Sequence, residues 1–241
     1  MIRRLAVIVP AANEERAIAS CLASIAAARA HLARSHTAGV QVQVLVVLDN
    51  CQDRTAVIAA RFPGVRPVMI SAGRVGAARH AGARAAIASA PPARELWLAN
   101  TDADCAVPRD WLSFMVAEAR CGTQVVLGTV LPGPGLSAAL KAAWLGRHHL
   151  REGHPHIHGA NFGIRADTYL TLGGWQPLSL GEDVDLAGRA ASAGHLRITR
   201  TASIPVVTSS RTAARAPGGF ASYLTALGEP QQGVPQLSRA L

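Results

Sequence analysis

Leu96-Trp97-Leu98-Ala99-Asn100-Thr101-Asp102-Ala103-Asp104-Cys105 is the stretch on which the reading of the fold turns. It begins apolar, as a buried strand does, and ends in two carboxylates one residue apart. In an open α/β sheet, ligands gather at the carboxyl ends of strands. Asp102 and Asp104 stand at such an end. A carboxylate pair there is a natural seat for a divalent cation carrying phosphates, because Mg²⁺ takes a few protein oxygens and completes its shell with substrate oxygens. A solvated turn has the same composition, since Asp is common wherever strands end. The flanking sequence decides between the two.

Upstream, Leu5–Val9 reads as a first buried strand closed by Pro10. A helix follows to about Leu32, with Asn13 or a neighbour as its cap and Glu14 and Glu15 in its first turn. Val42–Leu48 is a Val/Leu run, the mark of a strand covered on both faces, and it ends in Asp49-Asn50. A helix over 55–61, a short strand Val65–Ile70 and an Ala-rich helix from Gly73–Gly76 to Ser89 come next, stopped by Pro91-Pro92. Another helix begins beyond Pro108-Arg109-Asp110. The first 120 residues thus read β-α four times, the pattern of a doubly wound parallel sheet. Asn13-Glu14, Asp49-Asn50 and Asp102–Asp104 end three of its strands, and parallel strands bring such ends to one edge.

The pattern changes after Cys121. Gln124–Val130 reads as a strand and Pro132-Gly133-Pro134-Gly135 as a breaker, followed by a helix carrying Leu140, Trp144 and Leu145. Ala160–Ile164 reads as a strand, Ala166–Leu172 as a short helix, 182–193 as another and Ile198–Val207 as the last strand. The shift divides a nucleotide-type half, residues 1–121, from a second-substrate half, residues 122–210, within one domain. The tail 211–241 is expected to be partly flexible.

Of the 241 residues, 49% are hydrophobic but only 4% aromatic, so Ala, Val and Leu are expected to build the core. No apolar run reaches the roughly 18 residues of a membrane span. The four cysteines form no Cys-x-x-Cys pair and read as free thiols in a reducing cytoplasm. The net charge of +9, without a basic block, favours anionic partners such as nucleotides, phosphates or a membrane surface. No basic segment interleaved with aromatics points to nucleic acid.

Seven segments then carry a resemblance: Ile8-Val9-Pro10-Ala11-Ala12-Asn13-Glu14-Glu15; Val46-Val47-Leu48-Asp49-Asn50-Cys51-Gln52-Asp53-Arg54-Thr55; Gly76-Ala77-Ala78-Arg79-His80-Ala81-Gly82; Asn100-Thr101-Asp102-Ala103-Asp104; Gly159-Ala160-Asn161-Phe162-Gly163-Ile164-Arg165; Gly173-Gly174-Trp175; and Gly181-Glu182-Asp183-Val184-Asp185-Leu186. In this order, spanning about residues 5–210, they resemble the family 2 glycosyltransferases of the GT-A fold. The resemblance implies a Rossmann-like, doubly wound, mainly parallel sheet with a smaller acceptor-side mixed sheet. It implies an inverting glycosyltransferase that moves a sugar from a nucleotide-diphosphate sugar to a hydroxyl acceptor with Mn²⁺ or Mg²⁺. A non-catalytic nucleotide-sugar-binding protein of the same fold is the alternative. A Rossmann dehydrogenase needs Gly-x-Gly-x-x-Gly after the first strand, and this chain has Pro-Ala-Ala-Asn-Glu there. The expected location is the cytoplasm, with peripheral association at the inner face of the membrane left open.

The resemblance also implies roles. Asp49 accepts a hydrogen bond from the base, while Pro10, Ala12, Asn13 and Glu14 line base and ribose. Asp104 holds the metal, and Asp102 faces the ribose or a metal water. Arg79 and Arg211 are candidate phosphate contacts, because a guanidinium grips two phosphate oxygens. Asn161 lies beside the donor. Asp183 is the base that takes the acceptor proton, Glu182 orients the acceptor, and Trp175 and His158 border it. An acidic helix N-terminus favoured by the macrodipole alone would look similar. The late His that ligates metal in some relatives has no counterpart in Val207–Arg211. His154, His156 and His158 alternate, so an extended segment puts them on one face. A polar strand edge is the commoner meaning of that pattern than a metal site. The segment 147–158 is expected to form a mobile flap or edge near the sugar, without structural zinc.

Overall fold

The central strands are the ones the sequence makes wholly apolar. In the computed structural model, which describes residues 1–35, 39–148 and 150–210, β1 (Arg4–Ala11), β2 (Gln41–Asp49) and β4 (Leu96–Asn100) lie side by side and parallel. Every residue of β4 is buried. β3 (Val65–Ile70) is the outer neighbour of β2. It carries Pro67 and a 69%-exposed Met69, both tolerable because one side of an edge strand bonds nothing.

Helices cover both faces. α1 (Ile18–Arg34) turns Ile18, Leu22 and Ile25 onto Leu5, Val7 and Val9 of β1. α3 (Val75–Ser89) packs Ala78, Ala83 and Ala86 on the other face, against Ala6 and Ile8. α2 (Thr55–Ala59) is a single short turn, two residues shorter than expected, and α4 (Trp111–Arg120) joins α1 on the first face. The small residues of α3 let it sit close. A Cβ on Gly82 would lie 2.6 Å from Ile8 Cγ2 and 2.9 Å from Val47 Cγ2. Aromatics are few, yet all four tryptophans are buried, so they anchor the core alongside the aliphatic residues.

The second half extends the same sheet. Beyond α4 come β6 (Val125–Pro132), α5 (Ala138–Arg147), β7 (Phe162–Arg165), α6 (Ala166–Thr171), α7 (Glu182–Ser192) and β8 (Ile198–Thr208). A two-residue strand β5 (Cys105–Ala106), too short to read from periodicity, pairs antiparallel with β8. The order is β3-β2-β1-β4-β7-β6-β8-β5. β7 runs against β4 and β6, so the mixed part is continuous with the parallel part. Because Asn100 pairs with Phe162, the start of β7 lies at the carboxyl edge of β4, bringing Gly159–Asn161 to the edge where Asp102 emerges.

Two local expectations are corrected. α1 starts at Ile18 behind Ala17, with no acidic residue in its first turn. Asn13 adopts a left-handed φ of 55°, and its Oδ1 accepts from the amides of Gln52 (2.7 Å) and Asp53 (3.3 Å). It clasps the β2 turn instead of capping a helix. The strand read from Ala160 begins at Phe162, after a tight turn over Gly159–Asn161.

Candidate active site

Arg79 is the residue around which the carboxylates gather. It lies on the buried face of α3 and is 2% exposed. Its Nη2 donates to Asp102 Oδ1 at 2.6 Å and its Nε to Glu182 Oε1 at 3.1 Å. Nη1 is buried without a hydrogen-bond partner among the described residues. One guanidinium thus joins the end of β4 to the first turn of α7. Gly159 makes room for it, since a Cβ there would lie 2.6 Å from Nη2.

Asp183, next along α7, completes the group. Its Oδ2 accepts from the Gly159 amide at 2.6 Å, and its Oδ1 from the Val184 amide at 2.8 Å. Burial pushes the Asp183 carboxyl above its ordinary range, against the pull of Arg79. Burial raises Glu182 in the same way, again opposed by Arg79. For Arg79 itself burial works against the charge, yet Asp102, Glu182 and Asp183 outweigh it and hold the guanidinium more basic than usual.

Asp104 lies one residue beyond Ala103 and, like Asp102, is half-buried. Ligand atoms of Asp102, Asp104 and Cys105 all lie within 4.8 Å of one another. The two carboxylates suit a hard cation such as Mg²⁺ or Mn²⁺. Three carboxylates act on one guanidinium here and Asp104 stands beside Asp102, and a divalent cation relieves that excess of negative charge. The residues therefore fit such an ion. Burial pushes the thiols of Cys21 and Cys105 well up. They donate to Asp102 O (3.3 Å) and Asp104 Oδ1 (3.7 Å), bracing the loop.

The remaining expected residues take distinct places. Asp49 is 5% exposed at the end of β2. Its Oδ1 accepts from the amides of Ala72 (2.8 Å) and Gly73 (2.9 Å), and its Oδ2 from Arg74 (3.2 Å). Pro10 is half-buried, Ala12 and Asn13 are exposed, and Glu14 is buried, its amide donating to Thr55 Oγ1 at 2.7 Å. The three strand ends meet on one edge, as parallel pairing requires. Asn161 is buried with its side chain fully occupied. Its Oδ1 accepts from Trp111 Nε1, and its Nδ2 donates to Thr129 O and Ile204 O. Trp175 sits in the core, edge-on to Phe162 and 5.7 Å beneath the Arg79 guanidinium. Arg211 lies outside the described residues.

The segment expected to be a mobile flap or edge is tied down. His154 is buried with Nε2 at 3.1 Å from Thr201 O, and Glu152 accepts from Thr201, Ala202 and Ser203. His148 stacks on Trp144 at 3.9 Å and continues through His156 to His158. Burial, reinforced by the neighbouring imidazoles, pushes His158 down to about 3. Among the described residues no metal-binding group forms there. The Gly159 amide, which holds Asp183, is a site element that no side-chain pattern announces.

A mainly parallel sheet, reversed at β7 beside an acidic strand end, places the molecule in the GT-A class of α/β proteins. The sequence profile described as "Glycosyl transferase family 2" matches residues 6–167, more than half of the chain. The chain belongs to glycosyltransferase family 2. Its fold is similar to that of TarS 1-349 from S. aureus, solved with UDP-GlcNAc (15% identity, TM-score 0.64, 90% of this chain and 61% of that one). It is also similar to the mannosyltransferase PcManGT from Pyrobaculum calidifontis, solved with GDP-Man and Mn²⁺ (20%, TM-score 0.61, 86% and 57%). A third likeness is to glucosyl-3-phosphoglycerate synthase from Mycobacterium tuberculosis, solved with Mn²⁺, UDP and glucosyl-3-phosphoglycerate (18%, TM-score 0.58, 96% and 82%). This chain thus spans about three fifths of the length of the TarS 1-349 chains it matches. No curated protein sequence matches it.

Proposed function

We propose that the protein transfers a sugar from a nucleoside-diphosphate sugar to a hydroxyl acceptor, with inversion at the anomeric carbon. The observation that carries this is the Arg79 bridge, which sets the Glu182–Asp183 pair directly against the acidic end of β4. Metal-side and base-side carboxylates are thereby held on one guanidinium, at the same edge of the sheet. In this reading residues 1–121 bind the nucleotide and residues 122–210 the acceptor. Asp49 accepts from the base, and Asn13, Glu14 and the backbone of Pro10 and Ala12 border base and ribose.

Asp104 and Asp102 are the residues that would hold Mn²⁺ or Mg²⁺. The ion supplies Lewis-acid stabilisation of charge on the leaving diphosphate. Asp183 takes the hydroxyl proton as the acceptor oxygen forms its bond to the anomeric carbon, and the bond from that carbon to the diphosphate breaks. Glu182 and Arg79 hold Asp183 and the acceptor in line. The nucleotide sugars and Mn²⁺ bound by the structural neighbours support this reading.

A thermal-shift panel of nucleoside diphosphates with and without Mn²⁺ tests it, because ligand bound to the native state raises stability by RT ln(1 + [L]/Kd). One base should stand out, and only with metal present. Asp104→Asn should weaken that binding in Mn²⁺ and change little in EDTA. Equal affinity of variant and parent at saturating Mn²⁺ would remove Asp104 from the metal site. Turnover of the nucleotide sugar separates an enzyme from a binder.

A further inference from the structure

Among the described residues, nothing covers the apolar face of helix α5. Of its ten residues only Trp144 is buried, and Ala138, Ala142 and Leu145 point outward, Leu145 being 44% exposed. Beside it runs a groove of about 320 Å³ walled by Leu131, Pro132, Pro134, Lys141, Leu145 and Val207. A surface helix ordinarily turns its apolar stripe to the core.

The stretch of chain that carries this face has charge of one sign. Residues 132–151 contain no Asp or Glu and carry Lys141, Arg147 and Arg151, all exposed. None of the three makes an ion pair among the described residues. A shallow apolar face flanked by cations is the pattern of a helix lying in a membrane interface. We propose that α5 and its groove dock this protein on an anionic membrane surface.

The placement has a functional consequence. The groove rim is joined to β8 by the Gly133 amide on Thr208 O (2.7 Å), and the next residue, Ser209, donates its amide to Asp104 O (3.1 Å). A docked α5 therefore sets the acidic strand end close to the bilayer. The proposal does not rest on the transfer reading, and the two are tested separately.

The full chain is floated with phosphatidylcholine vesicles, with and without phosphatidylglycerol. Binding is expected only with the anionic lipid and should weaken as salt screens the charges. Lys141→Ala with Arg147→Ala should weaken it about thirtyfold, from roughly 1 kcal/mol per cation near an anionic surface. Leu145→Asp should remove it. All three sites are exposed, and unchanged melting temperature and nucleotide binding would show the variants folded. Failure to float, equal binding to neutral vesicles, or undiminished binding of the variants overturns the proposal. So does a concentration-dependent dimer that Leu145→Asp abolishes, which would assign the face to a second copy.

Discussion

Arg79 has two of its nitrogens committed to carboxylates and is buried together with Glu182, so its removal leaves charge stranded. Breaking a buried ion pair from one side typically costs about 3–5 kcal/mol. Arg79→Gln should therefore lose stability of that order in urea denaturation. It should also move the acid limb of the pH–rate profile upward, because Arg79 is the main influence holding Asp183 and Glu182 down against burial. An unmoved limb would make Arg79 a purely structural residue. Asp183→Asn is expected to lower kcat about 10²–10⁴-fold, the worth of general-base proton transfer, with donor affinity nearly unchanged. The parent's activity should fall as pH drops through the raised Asp183 pKa, since only the carboxylate accepts a proton. Near-normal turnover of Asp183→Asn, or a product that keeps the donor's anomeric configuration, would move the role to Glu182 or Asp185.

Elements differ in how tightly they are held, and two glycines in helices show it. In α3 a Cβ at Gly82 would press on Ile8 and Val47 of the sheet at 2.6 and 2.9 Å. Gly82→Ala should destabilise by about 1–3 kcal/mol, as overpacking does, even though Ala is the better helix former. In α7, Gly188 has nothing within 4 Å of a Cβ among the described residues. Gly188→Ala should stabilise by about 0.5–1 kcal/mol. Paired denaturation curves check both signs. The helices and strands of the first half were legible because their periodicity is local. The start of α1 was not, because Asn13 spends its side chain on amides of the β2 turn, about 40 residues away. β5 was not, because two residues carry no period.

Across the whole molecule, the row Trp144–His148–His156–His158 ties α5 to the loop that delivers Gly159 to Asp183. Its histidines give the fold a pH dependence of definite sign. His158 has an ordinary value of 6.5 and is held down to about 3 when folded. Between those values the unfolded chain binds the proton and the native state does not. The contribution is thus present above 6.5 and is lost as pH falls toward 3. Melting temperature should decline on acidification through that window, and His158→Gln should flatten the decline. An identical pH profile in the variant would place the acid sensitivity elsewhere, His154 being the next candidate because burial lowers it too.

The sequence by itself determined what depends on neighbours in the chain. It set the β-α alternation, the apolar strands, the acidic turns that close β1, β2 and β4, and the ordered motifs of family 2. Tertiary structure alone decided which side chains meet. Glu182 lies 103 positions from Arg79, so no local pattern links them, yet the reversal at β7 and the approach of α7 to α3 bring them to 3.1 Å. The same packing put Trp175 and Asn161 inside the core and joined the mixed strands to the parallel ones. Pairing and burial are decided by which faces exclude water together, and that is a property of the assembled sheet.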